Sequence, residues 1–165
     1  MNIGGTISGA VFSEDRKKRF ALWRVWDKAR PALLFVGLNP STATDRQDDP
    51  TIRRVVGFAK AWYHGGLYVG NLFSTITPDP RELYLAEPEP TAPTDEALQE
   101  MRAICPRVLV GWGHFGKDAQ NRTAEVLALL GKPVYCLGTT KDGWPKHPLY
   151  MRADTEMKLY ERGKI

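Results

Sequence analysis

Leu33-Leu34-Phe35-Val36-Gly37-Leu38-Asn39-Pro40-Ser41-Thr42 is the stretch on which the fold turns. Ala32 to Val36 is apolar without alternation, as a strand covered on both faces requires. Gly37 and Asn39-Pro40 then break it into a tight turn carrying small hydroxyl residues. Open α/β sheets place their ligands at such a carboxyl strand end. Asn39 has two readings. Its amide shapes the turn while Ser41 caps a following helix, or it orients a water or substrate carbonyl while the turn's N–H groups hold an anion. On the second reading Gly37 lets a ligand approach the backbone. The Gly-Lys-Ser/Thr ending of a Walker loop is absent.

Downstream, strand and helix alternate. Asp49-Pro50-Thr51 opens a helix whose apolar face is Ile52, Val55, Val56, Ala59 and Trp62, and Gly65-Gly66 ends it. Leu67-Tyr68-Val69 is the next strand and delivers Asn71-Leu72-Phe73. Pro78, Pro80, Pro88, Pro90 and Pro93 mark residues 77–94 as a long surface loop. Thr94 is expected to cap a helix with Ala97, Leu98, Met101 and Ile104 on its buried stripe. Arg107 to Val110 is a third strand, leading to Gly111-Trp112-Gly113-His114. A helix marked by Ala119, Thr123, Val126, Leu127 and Leu130 stops at Gly131, and Pro133 to Leu137 is a fourth strand.

Such alternation implies right-handed crossovers. The expected fold is a three-layer α/β/α sandwich with a mainly parallel four-stranded central sheet. Ahead of it, Ala10 to Phe12 and Phe20 to Trp26 flank a charged turn and read as an N-terminal hairpin. Phe20, Leu22, Trp23 and Val25 do not alternate cleanly, which points to a bulge or a two-sided environment. Arg16 to Arg19 reads as a solvated hairpin tip, with a nucleic-acid contact as the alternative. Residues 1–165 are expected to form one domain, with 1–30 as the hairpin extension and 31–165 as the α/β core.

Composition narrows the classes. The 165 residues are 42% hydrophobic and 25% charged, ordinary for a soluble globular chain. Apolar runs are far shorter than the roughly 20 residues that cross a bilayer, and the Gly-rich start is not a signal sequence. A cytoplasmic monomer without membrane contact is the expectation. A net charge of +4 is compatible with a polyanionic partner and is weak support for one. Cys105 and Cys136 are too few for a disulfide framework or an iron–sulfur site and read as buried thiols. His64, His114 and His147 show no metal-ligand spacing, so neither a metal nor a cofactor is expected.

Asn39, Asn71, His114 and His147 all follow strand ends and should converge on one edge of the sheet. Pro148 holds His147 extended, and Trp144-Pro145 stiffens the other side of the loop. The imidazole is either a bystander or a neutral donor to a developing oxyanion. Asp49 is either the helix cap or a water-orienting carboxylate. His114 and Lys117 are phosphate contacts or plain surface residues.

Gly37-Leu38-Asn39-Pro40 resembles the first motif of the uracil-DNA glycosylase superfamily, in the Gly-x-Asn-Pro form of its mismatch-specific and single-strand-selective branches. Tyr68 to Phe73 is similar to the strand whose asparagine reads the flipped base, and Val108 to Gly113 to the third strand. His147-Pro148-Leu149 resembles the late His-Pro loop, with its oxyanion-stabilising histidine and minor-groove wedge. The whole chain also looks like a bacterial family of unknown function marked by Gly-Leu-Asn-Pro-Ser, Asp-Asp-Pro-Thr and Asn-Leu-Phe.

The superfamily resemblance implies a DNA N-glycosylase-like hydrolase acting on an extruded base. Asn39 and His147 would be catalytic. Gly37, Leu38, Pro40, Asn71 and Phe73 would surround the base. Ser41, Thr42, His114, Lys117, Lys146, Leu149 and Arg152 would face DNA. The alternative is a non-catalytic or free-nucleotide base-binding protein using the same pocket. The chain departs from the pattern at Ser41, where a glycine is usual, and at Leu149-Tyr150, where a small residue follows the proline.

Overall fold

Apolar strands that cannot leave backbone groups unpaired assemble here into a single seven-stranded sheet. The computed structural model describes residues 1–85, 87–114 and 118–161. Its elements in chain order are β1 (Ser8–Phe12), β2 (Arg19–Val25), β3 (Ala32–Gly37), α1 (Pro50–Ala61), β4 (Gly66–Asn71), α2 (Glu82–Leu85), α3 (Ala92–Ile104), β5 (Arg107–Val110), α4 (Asp118–Leu130), β6 (Tyr135–Cys136), one 3₁₀ turn (Pro148–Tyr150) and β7 (Lys158–Leu159). The strands lie in the order β1-β2-β4-β3-β5-β6-β7.

This overturns the expectation of a mainly parallel four-stranded sheet. The sheet is mixed: β4-β3, β3-β5 and β5-β6 pair in parallel, while β1-β2, β2-β4 and β6-β7 pair antiparallel. Two causes explain the miss. The hairpin is an edge of the sheet, because β2 pairs with β4 from Leu22↔Val69 to Val25↔Gly66. Its broken alternation comes from coverage on both faces, with Leu22 in one core and Ala21 and Trp23 in the other. At the far edge, β6 and β7 have two residues each, too short for any periodicity.

Successive residues of the central strands feed opposite cores. Leu33, Phe35, Leu67, Val69 and Leu109 pack with Ile52, Val55, Phe58 and Ala59 of α1. Leu34, Val36, Tyr68, Val108 and Val110 pack on the other face with Ala97, Leu98 and Met101 of α3, and with Ala119, Val126 and Leu130 of α4. Asp49 caps α1, its Oδ1 accepting from the Ile52 N–H at 2.9 Å, with Pro50 in the first turn. α3 starts earlier than expected. Thr91 precedes it without a side-chain cap bond, and Thr94 lies inside the helix with its hydroxyl 2.6 Å from that of Ser74. Ile104, expected in the buried stripe, is 44% exposed. Cys105 and Cys136 are free and buried, and burial pushes the Cys105 thiol up to about 12. Among the described residues, no helix is long and apolar enough to cross a membrane and no acid, histidine or cysteine group is assembled for a metal.

Gly57 sits in the middle of α1, where a Cβ would meet nothing within 4 Å. Glycine there costs helix stability without relieving any clash. Gly57→Ala should therefore stabilise the fold by about 0.5–1 kcal/mol in chemical denaturation. A destabilised variant would show that the backbone needs glycine at this point.

Candidate functional site

A cavity of about 440 Å³ opens where β3, β4 and β5 end, in the size range of small-molecule sites. Gly37, Leu38, Asn39 and Ser41 line it from the β3 turn, Asn71 from β4, Trp112, Gly113 and His114 from the β5 exit, and His147 and Leu149 from the late loop. The amino end of α1 adds Asp49, Thr51 and Ile52. Convergence follows from the parallel β4-β3-β5 order, which brings three strand exits side by side. The His147 loop lies on the β5 exit because glycine is there. The Gly113 N–H donates to the Pro145 carbonyl at 2.8 Å, and a Cβ on Gly111 would stand 2.9 Å from the Phe35 ring and 3.2 Å from Pro148.

Asn39 is fixed by its nitrogen. Nδ2 donates to the carbonyls of Pro40 (3.0 Å), Thr75 (3.2 Å) and Thr77 (2.9 Å). Three acceptors around one nitrogen settle which end of the amide is which. Oδ1 makes no hydrogen bond among the described residues and remains the acceptor of a cavity-lining side chain. The segment that grips it is itself gripped from the proline-rich loop. Glu89 accepts from the N–H groups of Ser74 (3.0 Å) and Thr75 (3.3 Å) and from the Thr75 hydroxyl (3.2 Å), and the Thr77 hydroxyl donates to Glu82.

Asn71 is 6% exposed and lines the cavity, and its amide has no hydrogen-bond partner among the described residues. Lining the cavity, this carboxamide presents a donor and an acceptor to a ligand. Gly37 makes room for it. A Cβ there would stand 3.0 Å from Asn71 Oδ1 and 3.3 Å from the Phe35 ring.

His147 Nδ1 accepts from the Leu149 N–H at 3.2 Å and so caps the 3₁₀ turn. An accepting Nδ1 places the proton of the neutral ring on Nε2. Burial holds the imidazole below its ordinary range, and the Asp49 charge opposes that shift. His64 is depressed too, first by burial, with its Nδ1 3.2 Å from the Pro31 carbonyl. Both folded pKa values lie below the unfolded one. Their neutral forms therefore contribute stability that is present above about pH 6.5 and lost as pH falls through the folded values. The melting temperature should fall steadily from pH 7 to pH 5, and the His147 ring proton should titrate by NMR below 6.5. Titration at or above that value would mean a solvated ring.

Asp49 is both a cap and a cavity wall. It is 7% exposed, and its Oδ2 accepts from the Ala43 N–H at 3.3 Å. Nearby Arg19 corrects the reading of a solvated tip: it is 3% exposed and lines the cavity. Its Nη1 donates to the Ala43 carbonyl at 2.9 Å, while Nε is buried without a partner among the described residues. Burial pushes its pKa down to about 10, against the pull of Asp49.

Some expected residues lie elsewhere. Phe73 turns to a second cavity of about 330 Å³ with Tyr84 and Arg122, so it does not stack in the first. Pro40 is buried behind the turn, and Thr42 is exposed outside it. Lys146 is exposed and away from the cavity wall, and Arg152 is paired with Asp154 at 3.1 Å. Lys117 lies outside the described residues. Phe35, Thr51, Thr77, Trp112 and Tyr150 line the cavity although the sequence alone attaches no site role to them. Trp112 had a signal in its Gly-Trp-Gly setting and Tyr150 in its place beside Leu149; Thr77 had none. The family model described as "Protein of unknown function (DUF1643)" matches residues 19–149. No curated protein and no solved structure matches the chain.

Proposed function

The chain belongs to the DUF1643 family, whose description assigns no activity, and we propose that it is a uracil-DNA-glycosylase-like hydrolase that cleaves the N-glycosidic bond of a base held in the cavity. The observation that carries this reading is the meeting of Asn39, Asn71 and His147, from three distant parts of the chain, on one wall-to-wall space. The Asn71 amide offers the donor and acceptor a base edge needs. The Phe35 ring, 2% exposed and in the cavity wall, supplies an aromatic surface against the base, the role expected of Phe73.

As the C1′–N bond breaks, its electron pair stays on the base, and the Nε2–H of His147 stabilises that charge. Asn39 Oδ1 orients a water whose oxygen bonds to C1′. The water's surplus proton leaves to solvent, and the departing base takes one up. An amide is a poor proton acceptor, so the rate comes from electrostatics more than from base catalysis. The test is incubation with oligonucleotides carrying a panel of damaged and modified bases, scored for abasic sites, with wild type beside Asn39→Ala. Release by wild type and its loss in the variant support the reading; binding without release from any base overturns it.

That last outcome would favour a second reading, a base-binding pocket without cleavage. One observation leans that way: the cavity carboxylate, Asp49, already holds a backbone N–H on each oxygen.

A further inference from the structure

Beside the cavity runs a groove of about 580 Å³, lined by Arg53, Arg54 and Gly57 of α1 and by Leu149 and Ala153. Leu149 lines both spaces, so they are neighbours across one side chain. α1 joins them as well, because its Thr51 and Ile52 line the cavity while its Pro50, Arg53, Arg54 and Gly57 line the groove.

We propose that this groove seats the DNA strand that continues from the base in the cavity, with Arg53 and Arg54 on its phosphates and Tyr150 under the adjoining base. The proposal rests on the reading of the cavity as a base site and adds that the substrate is a polynucleotide rather than a free nucleotide.

Charge is the first argument. Arg53 Nη1 donates to the Asp48 carbonyl at 3.0 Å and Arg54 Nη1 to the Met151 carbonyl at 3.2 Å. Each fork is thereby aimed by one backbone contact, and neither has a carboxylate partner among the described residues. The acids that precede α1 and the one that follows Ala153 are engaged: Asp48 pairs with Arg24 at 3.0 Å, Asp49 accepts from the N–H groups of Ile52 and Ala43, and Asp154 pairs with Arg152 at 3.1 Å. Two anchored, unneutralised guanidinium groups side by side fit successive phosphates of a strand.

Aromatic surface is the second argument. Tyr150 is 86% exposed and lines the cavity mouth, its ring 6.0 Å from that of His147 at 66°. An exposed tyrosine held against another ring is a stacking platform for an unpaired base. Leu149, 42% exposed, stands between the two positions as a divider. Room is the third argument. Gly57 forms part of the groove wall, and nothing in the fold requires it to lack a side chain.

The experiment measures binding of a fluorescein-labelled single-stranded DNA 15-mer by anisotropy across a salt series. Wild type is compared with Arg53→Ala/Arg54→Ala, with Gly57→Glu, and with Lys28→Ala/Lys158→Ala as a control of equal charge loss. Gly57→Glu is the variant least costly to the fold, since a Cβ at that position meets nothing within 4 Å. Thymidine 5′-monophosphate is titrated in parallel as the free-nucleotide probe.

Arg53→Ala/Arg54→Ala should weaken 15-mer binding roughly tenfold and flatten the log–log salt slope by about 1.4, the contribution of two phosphate contacts on a single strand. Gly57→Glu should weaken it at least as much, and the control should stay within about twofold of wild type. An equal loss in the control, a wild-type Gly57→Glu, absence of 15-mer binding, or tighter binding of the mononucleotide than of the 15-mer would each overturn the proposal. The glycosidic reading fails separately. A protein that binds the 15-mer through the groove and releases no base keeps the groove and loses the hydrolase.

Discussion

His147→Ala should lower the single-turnover rate of the proposed base release by roughly 100- to 1,000-fold, the usual cost of deleting one aimed donor at a developing oxyanion. Its donor is set by its own loop. With Nδ1 occupied by the Leu149 N–H, the neutral ring has one proton to offer, on Nε2. Burial favours the neutral ring at physiological pH, so on the proposed reaction a departing base would meet a hydrogen-bond donor and no cation would have to be buried. Alanine also removes the cap of the 3₁₀ turn, which clouds a rate measured on that variant alone. His147→Asn separates the two effects, since an asparagine oxygen can accept from the Leu149 N–H while the imidazole is gone. Both variants should bind the oligonucleotide nearly as wild type does and differ from it in rate. Release by His147→Asn at the wild-type rate would take the histidine out of the mechanism.

Asp49→Ala should cost about 3 kcal/mol in chemical denaturation, combining a lost helix cap with a buried cation deprived of its counter-charge. Asp49 accepts from Ile52 and Ala43, and its field opposes the desolvation of Arg19, which is 3% exposed. Asp49→Asn distinguishes the two parts, because asparagine caps about as well as aspartate but carries no charge. That variant should lose less stability than Asp49→Ala. It should also move the His147 titration further down, because Asp49 is the group that raises it. An unshifted His147 in Asp49→Asn would mean that the two residues do not sense one another.

How far the sequence could be read depends on how each residue is held. β3, β4 and β5 are central strands buried on both faces, so their apolar runs stand out unaided. Asp49 before Pro50 marked the start of α1 for the same reason that it caps it. β2 was harder, because its strand neighbour β4 is remote in sequence and its mixed pattern suits an appendage as well as an inner strand. Arg19 was hidden by its company: it closes a run of charged residues, and its burial against Ala43, within the field of Asp49, is tertiary. Phe73 failed by alternation. It lies two positions beyond Asn71 across the end of β4, where the chain leaves the strand and its side chain turns to another space. The meeting of Asn39 and His147 on one cavity was foreseeable from strand ends, whereas the absence of a partner for the Asn71 amide among the described residues shows only in three dimensions.

The grip on Asn39 has a consequence for transplantation. Its amide takes its aim from Thr75 and Thr77, which are steadied in turn by Glu89 and Glu82 of the proline-rich loop. Grafting residues 37–42 onto a foreign sheet would carry over the letters of the turn and leave behind its compass. A useful chimera must move the turn and the distant loop together, as one inherited part.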